Sequence, residues 1–123
     1  MTPKVKVGII GCGNIFPAYV KGCRAFDILE VAACADIDAE LAKAREKEFG
    51  VKAVPAPALL DDPGIQIVIN LTPPKAHFEV NLAAIQAGKH VHTEKPLALT
   101  RDEGLRTLAA AKEKGVRVGA APD

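Results

Sequence analysis

The chain has 123 residues, 49% of them hydrophobic and 25% charged, and 16 Lys and Arg against 15 Asp and Glu leave a formal charge of +1. That length suits one domain with one real core rather than two, and the low charge with abundant aliphatic residues excludes a disordered chain. Near-neutrality gives no electrostatic reason to expect nucleic acid or an acidic membrane surface as a partner.

The first strand is expected at Val5–Ile10, and its apolar run stops at Gly11, too short for a signal peptide or a membrane helix. It leads into Gly11-Cys12-Gly13-Asn14-Ile15-Phe16 and then a helical stretch whose first turn suits Pro17. In a dinucleotide site the first glycine makes the tight turn and the second lets the backbone approach a pyrophosphate, met by free amides and the positive end of the helix dipole. Gly-x-Gly alone is weak and is often an ordinary turn; its place after the first strand of a βαβ unit favours the dinucleotide. The third small residue of such a motif is Phe16 here, which implies a shifted helix or a ring facing the cofactor cleft.

A second strand at Val31–Cys34 closes on Asp36, near the roughly 20-residue spacing expected after the motif. A carboxylate there accepts both ribose hydroxyls of an adenosine and repels a 2′-phosphate, and no Arg or Lys lies in Ile37–Leu41, so NAD is preferred over NADP. The bland alternative, a turn or capping aspartate, suits Asp38 better. The three cysteines, Cys12, Cys23 and Cys34, are odd in number and widely spaced, and read as reduced thiols of a cytoplasmic protein.

Leu41, Ala42, Arg45 and Phe49 have helical spacing and end at Gly50; a weak strand follows at Val51–Val54, and Asp62-Pro63-Gly64 marks a turn. The fourth strand, Ile65–Leu71, opens into Thr72-Pro73-Pro74-Lys75-Ala76-His77, in the region where ligands bind such sheets. His77 reads as a capping or packing residue and is given no acid–base work. A helix ends at Gly88, and the fifth strand, His90–His92, runs into Thr93-Glu94-Lys95-Pro96. Lys95 there can hydrogen-bond a substrate hydroxyl and help move its proton, although a surface ion pair fits the spacing equally well. Thr100 and Glu103 form a capping box for a helix carrying Leu105, Leu108, Ala109 and Lys112, which ends at Gly115 before a sixth strand at Val116–Val118. Short β-branched runs alternating with helices describe an α/β, doubly wound parallel sheet.

Together Val7-Gly8-Ile9-Ile10-Gly11-Cys12-Gly13-Asn14-Ile15, Asp36, Leu71-Thr72-Pro73-Pro74 with His77, Ala87-Gly88-Lys89-His90-Val91 and Glu94-Lys95-Pro96 resemble the N-terminal domain of the glucose–fructose oxidoreductase/inositol dehydrogenase family. The resemblance covers essentially residues 1–123. It implies a Rossmann fold of strand order 3-2-1-4-5-6 that binds NAD(H) or NADP(H). By the same resemblance Gly11, Gly13, Asn14 and Ile15 follow the pyrophosphate and Asp36 holds the adenosine ribose. Leu71, Thr72, Pro73, Pro74, His77 and Glu94 line the nicotinamide half, and Lys95 is the catalytic lysine. The family continues into a second domain that contributes substrate contacts and a homo-oligomer interface, so the chain reads as a nucleotide-binding half that binds cofactor without turning over. The implied substrate is a sugar, polyol or related hydroxy/keto compound. A non-catalytic NAD-sensing or scaffold module is the alternative; a methyltransferase leaves Glu94-Lys95-Pro96 unexplained. An exposed apolar patch and self-association are expected from the missing half.

Overall fold

The computed structural model describes residues 4–94 and 98–120. The Lys95-Pro96 segment, with the catalytic assignment of Lys95, lies outside the described residues. The described elements are β1 (Val5–Ile10), α1 (Phe16–Arg24), β2 (Leu29–Ala35), α2 (Ala39–Phe49), β3 (Lys52–Ala53) and α3 (Ala56–Asp61). They continue with β4 (Ile65–Asn70), α4 (Pro74–Gln86), β5 (His90–Thr93), α5 (Arg101–Lys114) and β6 (Val118–Ala120). All described strand pairs are parallel, as the alternating pattern predicts, and the order is β3-β2-β1-β4-β5-β6, as the family resemblance implies.

α1 and α2 lie on one face of the sheet and α3, α4 and α5 on the other. Each face has its own core. Val7, Ile9, Phe16, Val20, Cys34 and Val51 pack on the α1–α2 side, and Ile10, Leu59, Ile65, Val68, Ile85 and Val91 on the other. Gly8 admits α3 to the sheet, since a Cβ there would lie 2.7 Å from Leu59 Cδ2.

The helix ends follow their capping chemistry. Asp38 Oδ1 accepts from the Glu40 and Leu41 amides at 3.1 and 3.3 Å. Thr100 Oγ1 accepts from Glu103 N, while Glu103 Oε1 reaches back to Leu99 N instead of Thr100 N. After α5, the amides of Gly115 and Val116 bond back to the carbonyls of Lys112 and Ala111. That Schellman closure occupies Val116, so β6 begins at Val118, two residues beyond the predicted start.

Phe16 departs from the expectation of a ring facing the cleft. Its ring is fully buried and packs on Phe49 of α2, with ring centroids 5.8 Å apart. An aromatic ring gains more from that core than from open solvent.

Candidate functional site

The carboxyl ends of β1, β2 and β4 meet at a cleft of about 1000 Å³. Ligand sites of parallel sheets occur at this place, where strand order reverses. Gly11, Gly13, Asp36, Leu71, Thr72 and Pro73 line it. The sequence therefore brings half of its candidate residues to one cavity, from segments far apart in the chain.

Gly11 makes the turn at φ +106°, and a Cβ there would come within 2.6 Å of the Leu71 carbonyl carbon. Only glycine allows the two loops to touch in this way. The Gly11 and Leu71 amides donate to the Ala35 and Ile10 carbonyls, each at 2.8 Å, so both loops continue the sheet ladder.

Asp36 ties the next loop to this one. Its Oδ2 accepts from the Cys12 amide at 2.7 Å and its Oδ1 from the Asp38 amide at 2.8 Å. A carboxylate has about four lone-pair sites, so two hydroxyl donors can still be accepted. Beneath it, Cys12 is fully buried; its hydrogen bond with Cys34, followed by burial and the Asp36 charge, pushes its pKa up. A thiol so held is a packing group, not a nucleophile.

The Thr72 loop is fastened by a buried polar network. Asn70 Oδ1 accepts from the Thr72 hydroxyl at 2.6 Å and from its amide at 3.1 Å, while Asn70 Nδ2 donates to Asn81 Oδ1 and the His77 carbonyl. The His77 ring is 1% exposed, with Nε2 2.6 Å from the Thr72 carbonyl. It sits under the loop, as the packing reading expects, and is not among the residues lining the cleft. Pro74 starts α4 and Asn14 is exposed at the tip of the glycine loop.

Ile15 and Glu94 lie elsewhere, in a second hollow of about 560 Å³ along the outer flank of α1, with Tyr19, Cys23, Phe26, Ile69 and His92. Burial raises the Tyr19 pKa, and the charge of Glu94 and a hydrogen bond to it add to the shift. The Tyr19 hydroxyl and the Glu94 carboxylate are thus near neighbours on the hollow. The Tyr19 ring also meets that of His92, with centroids 5.9 Å apart.

Sequence reasoning missed Ile37, Lys43, Ala76 and Val80, all on the large cleft, and Arg45 behind the glycine loop. Ile37 has a legible signal, an apolar residue directly after Asp36 that is fully exposed.

Comparison with known proteins agrees with this fold. Residues 5–121 match the model of an oxidoreductase family described as an NAD-binding Rossmann fold. The 1,5-anhydro-D-fructose reductase of Ensifer adhaerens is 37% identical over 114 residues, covering 91% of this chain and 34% of that protein. The scyllo-inositol 2-dehydrogenase (NADP(+)) of Bacillus subtilis is 35% identical, covering 91% of this chain and 31% of that protein. Among solved structures, an NAD-binding protein from Listeria innocua superposes with a TM-score of 0.90 at 32% identity, over 95% of this chain and 35% of that one. The chain thus spans about a third of the length of the relatives it matches.

Proposed function

The chain belongs to this NAD-binding Rossmann oxidoreductase family, and from that premise we propose that it is the nucleotide-binding domain of an oxidoreductase acting on a sugar, polyol or related hydroxy/keto compound, with NAD preferred to NADP. The substrate class rests on the names of the sugar and inositol relatives. When bound, the nicotinamide supplies the hydride acceptor or donor.

The chain's own residues do the holding. Gly11 and Gly13 leave room for a diphosphate beside the first turn of α1, where free amides favour negative charge. Asp36 accepts the ribose hydroxyls, Ile37, Ala76 and Val80 offer apolar surface to the adenine, and the fastened Thr72 loop borders the way to the nicotinamide. Glu94 lies near Tyr19 and directly precedes Lys95 in the chain, and Lys95 in this reading contacts the reacting hydroxyl and moves its proton. Further protein closes the cleft over the substrate, and turnover by the domain alone is negligible because proximity and orientation supply much of the rate.

The observation that carries the reading is the Asp36 carboxylate, held by two backbone amides from two loops at the edge of the cleft. A second reading, NADP, is favoured by Lys43, a cation on the same cleft. Titration with NADH and NADPH, followed by nicotinamide fluorescence, decides between them. NADH binds the more tightly in the proposed function. Asp36→Ala then weakens NADH roughly tenfold or more, the loss of charge-assisted bonds worth about 1.5–3 kcal/mol, and narrows the gap to NADPH. No binding of either nucleotide at millimolar concentration overturns the reading. In the whole protein Lys95→Ala abolishes turnover while sparing NADH affinity; unchanged turnover would instead favour a cofactor-holding module without chemistry.

A further inference from the structure

Arg45 belongs to none of the motifs that carry the family resemblance and lies on α2, outside the glycine loop. Its guanidinium nevertheless fastens that loop. Nε donates to the Cys12 carbonyl and Nη2 to the Gly13 carbonyl, both at 3.0 Å, while Nη1 donates to Glu48 at 2.8 Å. The group also lies against the Phe16 ring, with Cζ 5.7 Å from its centroid. The Arg45 side chain is 15% exposed, against 54% for Glu48.

Peptide geometry gives this clamp a consequence. In a trans peptide the C=O and N–H groups point to opposite sides. Drawing the Cys12 and Gly13 carbonyls toward α2 turns the amides of Gly13 and Asn14 away from it, and among the described residues neither amide meets a protein acceptor. Gly13 lines the large cleft, and a Cβ built on it meets nothing within 4 Å. Two free donors thus flank open space at the start of α1, and the largely buried Arg45 guanidinium, paired with Glu48, stands behind them.

We propose that Arg45, stacked on Phe16, is the positioning residue that sets the diphosphate-binding conformation of the glycine loop. The usual small residue at the third motif position packs the helix close to the strand. Here Phe16 turns toward α2 instead, and the arginine lying on that ring reaches the loop carbonyls. This deepens the nucleotide-binding reading and rests on it.

The test separates the diphosphate from the nucleoside, on the whole protein. Arg45→Met keeps an unbranched stem over Phe16 and removes both donors. NADH affinity by fluorescence and ADP affinity by competition should fall about tenfold, while adenosine, which reaches Asp36 without a diphosphate, competes within about twofold of the unsubstituted protein. Arg45→Lys preserves folding and charge but cannot bond two carbonyls as a planar fork does, and it falls between. An equal loss for adenosine and ADP would make Arg45 a general staple of the fold and overturn the proposal, as would unchanged ADP affinity in both variants. Failure of the unsubstituted protein to bind NADH is a separate result, because it removes the cofactor reading itself.

Discussion

The two hollows of this domain are built on different terms. Around the large cleft, the shape is set by backbone: Gly11 at positive φ, loop amides on Asp36, and carbonyls on Arg45. Along α1 the second hollow is set by side chains, chiefly Tyr19, His92 and Glu94, and its apolar rim is open, with Phe26 61% exposed. Backbone-defined sites hold their form without a partner, whereas an open apolar rim takes a fixed shape when more protein lies over it. The cleft is thus the more rigid of the two, and the hollow the more open to reshaping.

The largest test of that contrast is at the glycines of the cleft. Gly11→Ala forces an L side chain into φ +106° and against the Leu71 backbone, at a cost of about 3 kcal/mol from strain and overlap together. Both thermal stability and NADH binding should collapse. Gly13→Ala meets no protein atom, so its melting temperature should match the parent while NADH affinity drops, since only the ligand contests the added methyl. If Gly13→Ala bound NADH as the parent does, the backbone would not be what receives the diphosphate.

Asn70 sits where the two regions meet. Its side chain holds Thr72 on the cleft side, and its carbonyl accepts the Glu94 amide on the other. Asn70→Ala strands buried donors and acceptors, including Asn81, whose Nδ2 already has no hydrogen-bond partner among the described residues. A loss of roughly 2–3 kcal/mol is expected by denaturant titration. The backbone bond to Glu94 survives the substitution, so amide exchange should quicken in the Thr72 loop more than at Glu94. Equal quickening at both would mean that the regions move as one unit.

How much of this was legible in the sequence depends on how far each signal travels along the chain. The Gly11 turn and the Asp38 cap are written in local patterns, each read within a few residues, and the structure reproduces them; the strand order follows from the family resemblance, and the structure has it too. Phe16 was misplaced because its destination is set by α2, more than thirty residues on, and nothing in a single motif announces Phe49 as its neighbour. Arg45 was hidden for the same reason, since helical spacing marks it only as a residue between core positions. The burial of His77 agrees with the packing expectation, but its hold on the Thr72 carbonyl requires the α4 turn to be known first. Lys43 lies two residues past the Ile37–Leu41 stretch that follows Asp36, and only the turn of α2 brings it round to the cleft.

The smallest effect expected lies on the hollow side. Cys23 lines the hollow, is 7% exposed, and burial alone pushes its thiol above the ordinary 9.0. The folded chain therefore keeps this proton after the unfolded chain has begun to lose it. The resulting stability is fully present below pH 9 and is lost as pH rises through the folded value. Cys12 and Tyr19 are raised too and add the same sign, while Cys34, lowered by its hydrogen bond with Cys12, and Lys89, lowered by burial, oppose it. Cys23→Ala should cost about 1 kcal/mol below pH 9 through the small void it leaves, and less above it, because the variant's alkaline decline is shallower than the parent's. Melting curves across the alkaline range read that difference directly. Parallel declines in the two proteins would mean that water reaches Cys23 through the open rim, and that the hollow is looser than its packing implies.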